Sequence, residues 1–213
     1  CYEIAESSEK IYIGKEFPDE FANAKDARGL KGANAKAKAN AAQAIKELLK
    51  TQELDKITVT DIVKKAGMTR QTFYRHFSDK YDLVNWYFER LADKSFYQIG
   101  AQETLFEGLT KKFEFILNDQ TFFAAAFKSK DYNNVENYDY HCILAFYKDI
   151  LKKKLQGPIP EDLEFLLEMY CHASITMTVE WAISGMKMAP KELAALLIEA
   201  LPPKLEYYLQ HLK

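Results

Sequence analysis

Residues 57 to 83 read ITVTDIVKKAGMTRQTFYRHFSDKYDL, and two helices separated by a single glycine can be laid on them residue by residue. Thr58-x-x-Asp61 is a capping-box start in which Asp stands in for Glu, followed by a short helix that buries Val59, Ile62, Val63 and Ala66. Gly67 supplies the left-handed backbone that ends it, and Thr69 offers a hydroxyl to cap the next helix. That helix is expected from Arg70 to Phe77. Phe73 and Phe77, four residues apart, are its core side chains, leaving Arg70, Gln71, Tyr74, Arg75 and His76 to point outward. Ser78 is then expected to cap a longer helix from Asp79 to about Gly100, with Leu83, Val84, Tyr87, Phe88 and Leu91 as its apolar stripe.

Upstream, a helical pattern begins at about Lys36, with Ala37, Ala41, Ala44, Ile45, Leu48 and Leu49 on one face. Two helices joined by a short glycine-containing turn, with a supporting helix before them, make a helix-turn-helix arrangement. Its second helix needs a buried edge that fixes its angle and an outer edge of hydrogen-bonding side chains for the major groove. Phe73 and Phe77 supply the first; Thr69, Arg70, Gln71, Thr72, Tyr74, Arg75 and His76 supply the second. Charge follows the same division. Residues 36 to 94 hold 12 Lys+Arg against 8 Asp+Glu, whereas the 213-residue chain as a whole carries a formal charge of -2. A basic head on an acidic body is what DNA contact at one end requires.

Composition bounds the remaining classes. A chain 48% hydrophobic and 28% charged is that of a globular protein of one or two domains. Its three cysteines, Cys1, Cys142 and Cys171, lack CxxC spacing, which argues against a disulfide scaffold and for a cytoplasmic setting. No apolar run is long enough to span a bilayer, so no membrane role is expected. The start Cys1-Tyr2-Glu3-Ile4 points to a fragment or a trimmed product. Residues 1 to 35 read as an appended segment of unknown role, linker-like from Gly29 to Asn40, although its alanines can prolong the first helix. Lys25, Arg28, Lys31, Lys36 and Lys38 form either a minor-groove arm or an ordinary solvated tail.

The body reads all-α, with helices expected at roughly 102–117, 120–128, 138–155, 161–184 and 191–212. The last is interrupted by Pro202-Pro203, because proline removes a donor and clashes with the preceding turn. Leu163, Leu167, Tyr170, Ser174, Met177 and Trp181 fall on one line of the fourth of these, with Phe165, Met169, Thr176, Val179 and Ile183 on other faces. Together with Leu193, Leu197, Leu201, Leu205, Tyr208 and Leu212, this pattern suits half of a four-helix dimer interface. Aromatics from Phe96 to Tyr147, among them Tyr97, Phe106, Phe113, Phe122, Phe123, Phe127, Tyr138 and Phe146, serve either as core or as the lining of a pocket for a small hydrophobic effector. His141-Cys142 and Cys171-His172 offer soft ligands, but adjacent helical residues diverge by about 100°, so no metal site and no cofactor are expected. No GxSxG, GxxxxGK[ST], strand-linked GxGxxG or HExxH pattern is present, and an enzyme is not expected.

The run Gly67-x-Thr69-x-x-Thr72-Phe73-Tyr74-x-His76-Phe77-x-x-Lys80, within residues 57 to 83, resembles the DNA-binding domain of TetR/AcrR transcriptional regulators. The body is also similar to the subgroup related to dihydroxyacetone kinase operon regulators. The resemblance implies an all-α homodimer with a three-helix DNA-binding domain over 36–82 and a helical effector and dimerisation domain over 83–213. It implies phosphate contacts by Thr58, Tyr74 and Lys80, a backbone contact by His76, and base reading by Arg70, Gln71 and Thr72. The function it implies is sequence-specific regulation at a palindromic double-stranded operator, as a repressor released by an effector. The alternative is a protein-interaction module whose C-terminal half docks a metabolic partner. The chain departs from the family pattern in the 35 residues ahead of the first helix.

Overall fold

A computed structural model describes residues 30–92 and 104–209, and the side chains within them except those of 30–33 and 91–92. All regular structure there is helical. In chain order the elements are α1 (Leu30–Leu49), a 3-10 turn (Leu54–Lys56), α2 (Val59–Ala66), α3 (Arg70–Tyr74), α4 (Lys80–Ala92), α5 (Leu105–Asn118), α6 (Gln120–Ala126), α7 (Val135–Leu155), α8 (Glu161–Ile183), α9 (Pro190–Glu199) and α10 (Pro203–Leu209).

The first helix starts six residues ahead of the expected Lys36. Alanine carries little side-chain entropy into a helix, so the alanine-rich stretch that reads as a linker continues α1 instead. Lys36 and Lys38 are therefore helical residues, and Lys38 sits over the Trp86 ring at 5.7 Å; the rest of the expected arm lies outside the described side chains. At the other end of the head, the cap of α4 is Asp79, not Ser78. Asp79 Oδ1 accepts from the N–H groups of Tyr81 (2.7 Å) and Asp82 (2.8 Å), while the Ser78 N–H donates to Asp82. A carboxylate is the stronger acceptor at the positive end of a helix. Whether α4 extends to Gly100 lies outside the described residues.

The head is α1 packed on α2, α3 and the start of α4, closed over Ile45, Leu49, Ile62, Phe73, Phe77 and Leu83. In the body, α5 lies along α9, and α7 along α8. Thr104 and Glu107 form a full capping box ahead of α5, and Asn134 caps α7, which starts three residues before the expected Tyr138. Pro202-Pro203 divides α9 from α10 as expected. Phe113, Phe122, Phe123 and Phe127 are buried; Phe122, Phe123 and Phe127 meet ring against ring, with Phe122–Phe123 centroids 5.1 Å apart and perpendicular, and Phe113 meets Trp181 at 5.6 Å. They are core side chains. Phe96 and Tyr97 lie outside the described residues.

One ion pair is buried in this body. Lys112 of α5 and Asp139 of α7 meet at 2.5 Å with 5% and 2% of their side chains exposed, and the Lys112 ammonium also lies 5.7 Å from the centre of the Phe88 ring of α4. Burial pushes the Asp139 carboxyl upward, and the attraction of Lys112 opposes that push. No described helix is long and apolar enough to cross a membrane.

Candidate nucleic-acid interface

The geometry of α3 follows from three local devices. The Thr58 hydroxyl accepts from the Asp61 N–H, and the Asp61 carboxylate takes both the N–H and the hydroxyl of Thr58, so the capping box is complete despite the shorter acid. Gly67 then turns the chain at φ 64°, ψ 37°, a conformation that a Cβ disfavours. Thr69 caps α3 through the Thr72 N–H at 3.1 Å, and its hydroxyl also meets that of Thr72 at 2.9 Å. Regular helix ends at Tyr74 rather than Phe77. The last turn tightens, with His76 N–H on the Phe73 carbonyl, and still delivers Phe77 inward.

Two edges result. Phe73 and Phe77 are 1% and 3% exposed, their rings 5.6 Å apart, and Phe77 also meets Trp86 of α4 at 5.5 Å. On the opposite edge Thr69, Arg70, Gln71, Tyr74 and Arg75 are exposed and Thr72 is half-buried. Tyr74 stands with its ring edge-on to Phe73, which sets its direction. The Arg70 guanidinium donates to the Thr60 hydroxyl at the start of α2. Thr60 is a participant that the sequence left unmarked; its position two helical turns before the glycine was the available signal.

His76 and Lys80 do not simply face outward. His76 is half-buried, and its Nε2 has no hydrogen-bond partner among the described residues. Burial, together with the charges of Lys38 and Arg75, holds its pKa below the ordinary imidazole value, so the ring is neutral near pH 7. The Lys80 ammonium donates to the carbonyls of Asp55 and Ile57, both at 2.8 Å. These take two of the three donors of the ammonium, which also lies 5.0 Å from the centre of the Tyr81 ring.

Two polar ties join this head to the body. Lys46 of α1 meets Asp119, at the α5–α6 junction, at 2.5 Å, and the Tyr87 hydroxyl of α4 donates to the same carboxylate at 2.7 Å. Burial disfavours the Lys46 charge, but its bonds to Asp119 and Tyr87 outweigh that and raise its pKa. The second tie is Asp55, which reaches the loop after α6.

Among the described residues no group of three or more His, Cys, Asp and Glu side chains is arranged to hold a metal ion. Cys171 is buried, and burial pushes its thiol and that of Cys142 up to about 12. His172 is exposed and stacks on Tyr140 at 4.0 Å.

The surface of the body differs from the expected interface. Leu193, Leu197, Leu201 and Leu205 are buried against their own body because α9 lies along α5, and Tyr208 is half-buried. On α8 the line Leu163, Leu167, Tyr170, Ser174 and Trp181 also faces inward. The exposed apolar stripe is Phe165, Met169, Met177 and Ile183, joined by Leu196 and Tyr207.

A profile of bacterial regulatory proteins of the TetR family matches residues 42–85, which take in the end of α1, the capped helix pair and the start of α4. A second profile, of transcriptional-regulator C-terminal regions of the same family, matches residues 103–202. The chain belongs to the TetR family. Among relatives, the transcriptional activator DhaS of the dhaKLM operon from Lactococcus lactis is 40% identical over 48 residues, 22% of this chain and 26% of that protein. The regulator YvdT of Bacillus subtilis is 42% identical over 60 residues, 28% and 31% of the two chains. These matches span less than a third of each relative. The solved structure of a dihydroxyacetone kinase operon activator, DhaS, aligns over 81% of this chain and 98% of its own at 20% identity and a TM-score of 0.56. A TetR regulator from Streptococcus agalactiae aligns over 80% and 96% at 24% identity and a TM-score of 0.55. This TetR-family chain therefore has the family's two-part helical fold, with the head where α3 presents its polar edge.

Proposed function

We propose that the protein is a homodimeric, sequence-specific DNA-binding transcriptional regulator that occupies a palindromic operator as a repressor and is released by an effector. The observation that carries this reading is the two-sided α3: phenylalanines 1% and 3% exposed on one edge, and Arg70, Gln71, Tyr74 and Arg75 exposed on the other. In this reading Arg70 leaves Thr60 to fork onto guanine O6 and N7, and Gln71 forks onto adenine N6 and N7, with Thr72 beside them. Thr58, Thr69, Tyr74, Arg75, His76 and the third proton of Lys80 then take the sugar–phosphate backbone, which fixes register without reading sequence. The head extends to about residue 82 and the effector and dimer body follows from 83.

Support for a homodimer is the stripe on α8. It runs from Phe165 to Ile183 on a 23-residue helix, about 27 Å at 1.5 Å per residue, interspersed with exposed His172, Thr176 and Glu180, and exposed apolar side chains gathered on one helix favour a partner. Because α9 turns its leucines inward, the second helix of the interface contributes Leu196 and α10 contributes Tyr207. The repressor mode is tested in cells. Deleting the gene should raise expression from its own upstream region; the Lactococcus lactis relative is named an activator, and a fall in expression on deletion would assign that sign here. A gel shift on the same upstream DNA tests binding itself. Retardation lost in Arg70→Ala and Tyr74→Phe supports the regulator, whereas equal retardation by both variants favours a body that docks a protein partner, with DNA contact secondary.

A further inference from the structure

The 3-10 turn between α1 and α2 plugs into the body through one carboxylate. Asp55 Oδ1 accepts from the Ser129 hydroxyl at 2.5 Å and the Tyr81 hydroxyl at 3.1 Å, and Oδ2 accepts from the Lys130 backbone N–H at 3.1 Å. Ser129 is 4% exposed and is itself fixed: its carbonyl accepts from the Asn134 side chain and its hydroxyl oxygen from the Asp131 N–H. These donors are in place for a carboxylate to accept from, whichever molecule supplies it. Burial disfavours the charge of Asp55, but the bonds from Ser129, Lys130 and Tyr81 and the nearby Lys80 outweigh that and hold its carboxyl below the usual range. Asp55 is itself reached by solvent, so another anion has a path to the same donors.

Beside this notch lies a cavity of about 620 Å³ in the seam, a volume ordinary for small-molecule sites. Leu49 and Leu54 of the head face Ala124 and Ala125 of the body across it, and Lys128 and Lys130 stand on the body side. Thr51, Gln52, Glu53 and Thr121 complete the lining; the apolar patch of Leu49, Leu54, Ala124 and Ala125 next to two lysines and a three-donor notch suits an amphiphilic anion. We propose that this seam is a binding site for a small carboxylate with a short apolar chain. The ligand carboxylate takes the Ser129 hydroxyl and Lys130 N–H from Asp55, and the chain fills the space among Leu49, Leu54, Ala124 and Ala125. Occupancy unplugs the turn from the body while the Lys46–Asp119–Tyr87 tie and the bond from the Asn85 side chain to the Asn133 carbonyl persist, loosening the head so that it can shift relative to its twofold partner. That last consequence rests on the DNA-binding reading; ligand capture does not.

The experiment titrates hexanoate, with hexanol as the uncharged probe, into the full chain by calorimetry. The variants are Asp55→Ala, Asp55→Asn and the double variant Asp55→Ala with Ser129→Ala. Removing the resident carboxylate should tighten hexanoate binding at least fivefold in Asp55→Ala and measurably in the isosteric Asp55→Asn. The double variant should lose that gain, and hexanol should show no such dependence. If circular dichroism shows Asp55→Ala unfolded, Asp55→Asn alone decides. Equal hexanoate affinity in wild type and the Asp55 variants, an equal gain for hexanol, or no hexanoate heat in any variant overturns the site. Hexanoate should also weaken retardation of the upstream DNA by wild type. A chain that binds hexanoate as described but no DNA at all contradicts the regulator reading and leaves the site standing.

Discussion

Arg70 and Phe73 lie three residues apart on α3 and separate two kinds of loss. Arg70 is exposed and donates to Thr60 alone among the described residues, so Arg70→Ala should leave the thermal midpoint within the shift caused by about 0.5 kcal/mol while removing sequence-specific binding. Phe73 is 1% exposed, and Phe73→Ala should cost about 3 to 5 kcal/mol, so DNA binding is lost through unfolding of the head. Circular dichroism melts run beside anisotropy titrations separate the two; an Arg70→Ala chain that melts early would mean that this side chain supports the fold. Lys80 makes a sharper case. With two donors on carbonyls, its remaining donor is assigned to a phosphate, and Lys80→Ala should flatten the slope of log affinity against log salt by about 0.9 per subunit. An unchanged slope would assign Lys80 wholly to holding the 3-10 turn.

The helix termini carry the next tests. Gly67 has no neighbour within 4 Å of a Cβ built on it, yet its φ is +64°, so Gly67→Ala costs about 1 kcal/mol through the backbone alone, read as a lowered melting midpoint. The α2 box depends on charge. Bonds from Thr58 hold the Asp61 carboxyl below its ordinary value, so its stabilisation is fully present above the unfolded pKa of about 3.9 and is lost as pH falls through the depressed folded value. The difference in melting midpoint between wild type and Asp61→Asn should therefore be constant near neutrality and shrink in acid below pH 4; a difference independent of pH would show that charge plays no part. The Lys112–Asp139 pair between α5 and α7 obeys another rule. Lys112→Met alone should destabilise by about 3 to 5 kcal/mol, and adding Asp139→Leu should restore most of that loss, because the single variant strands a buried charge. These elements also show what sequence delivers. The caps at Thr58, Gly67 and Thr69 were legible because each is decided by chemistry within four residues. The start of α1 was not, since an alanine-rich run is equally suited to a solvated linker and to a helix with a face to bury. Asp79 and Ser78 compete for one cap, and a one-residue shift decides between them.

At the scale of the molecule, periodicity identified α8 as apolar on several sides but could not say which side its own body would cover. That depended on α9 lying along α5, a pairing between residues about 80 positions apart that no local pattern encodes. The inward line and the outward stripe of Phe165, Met169, Met177 and Ile183 exchanged roles accordingly. The carboxylate of Asp55 was invisible for the same reason: its partners Ser129 and Lys130 are 74 and 75 residues away. In the proposed homodimer the two recognition helices should sit about 34 to 36 Å apart, one turn of duplex, or a multiple of it. Met169→Asp with Met177→Asp should convert the dimer to a monomer in sedimentation velocity and weaken operator binding steeply, since half-site affinities no longer combine; a monomeric wild type would remove this step. The most direct test of the central claim is selection of bound duplexes from a random-sequence pool by the full chain, read by sequencing. An exposed polar edge on α3 presented twice predicts enrichment of a two-fold-symmetric sequence with half-site centres one or two helical turns apart, with the preference at individual half-site positions relaxed in Arg70→Ala and in Gln71→Ala. A pool that shows no enrichment, or a consensus left unchanged by both substitutions, would contradict it.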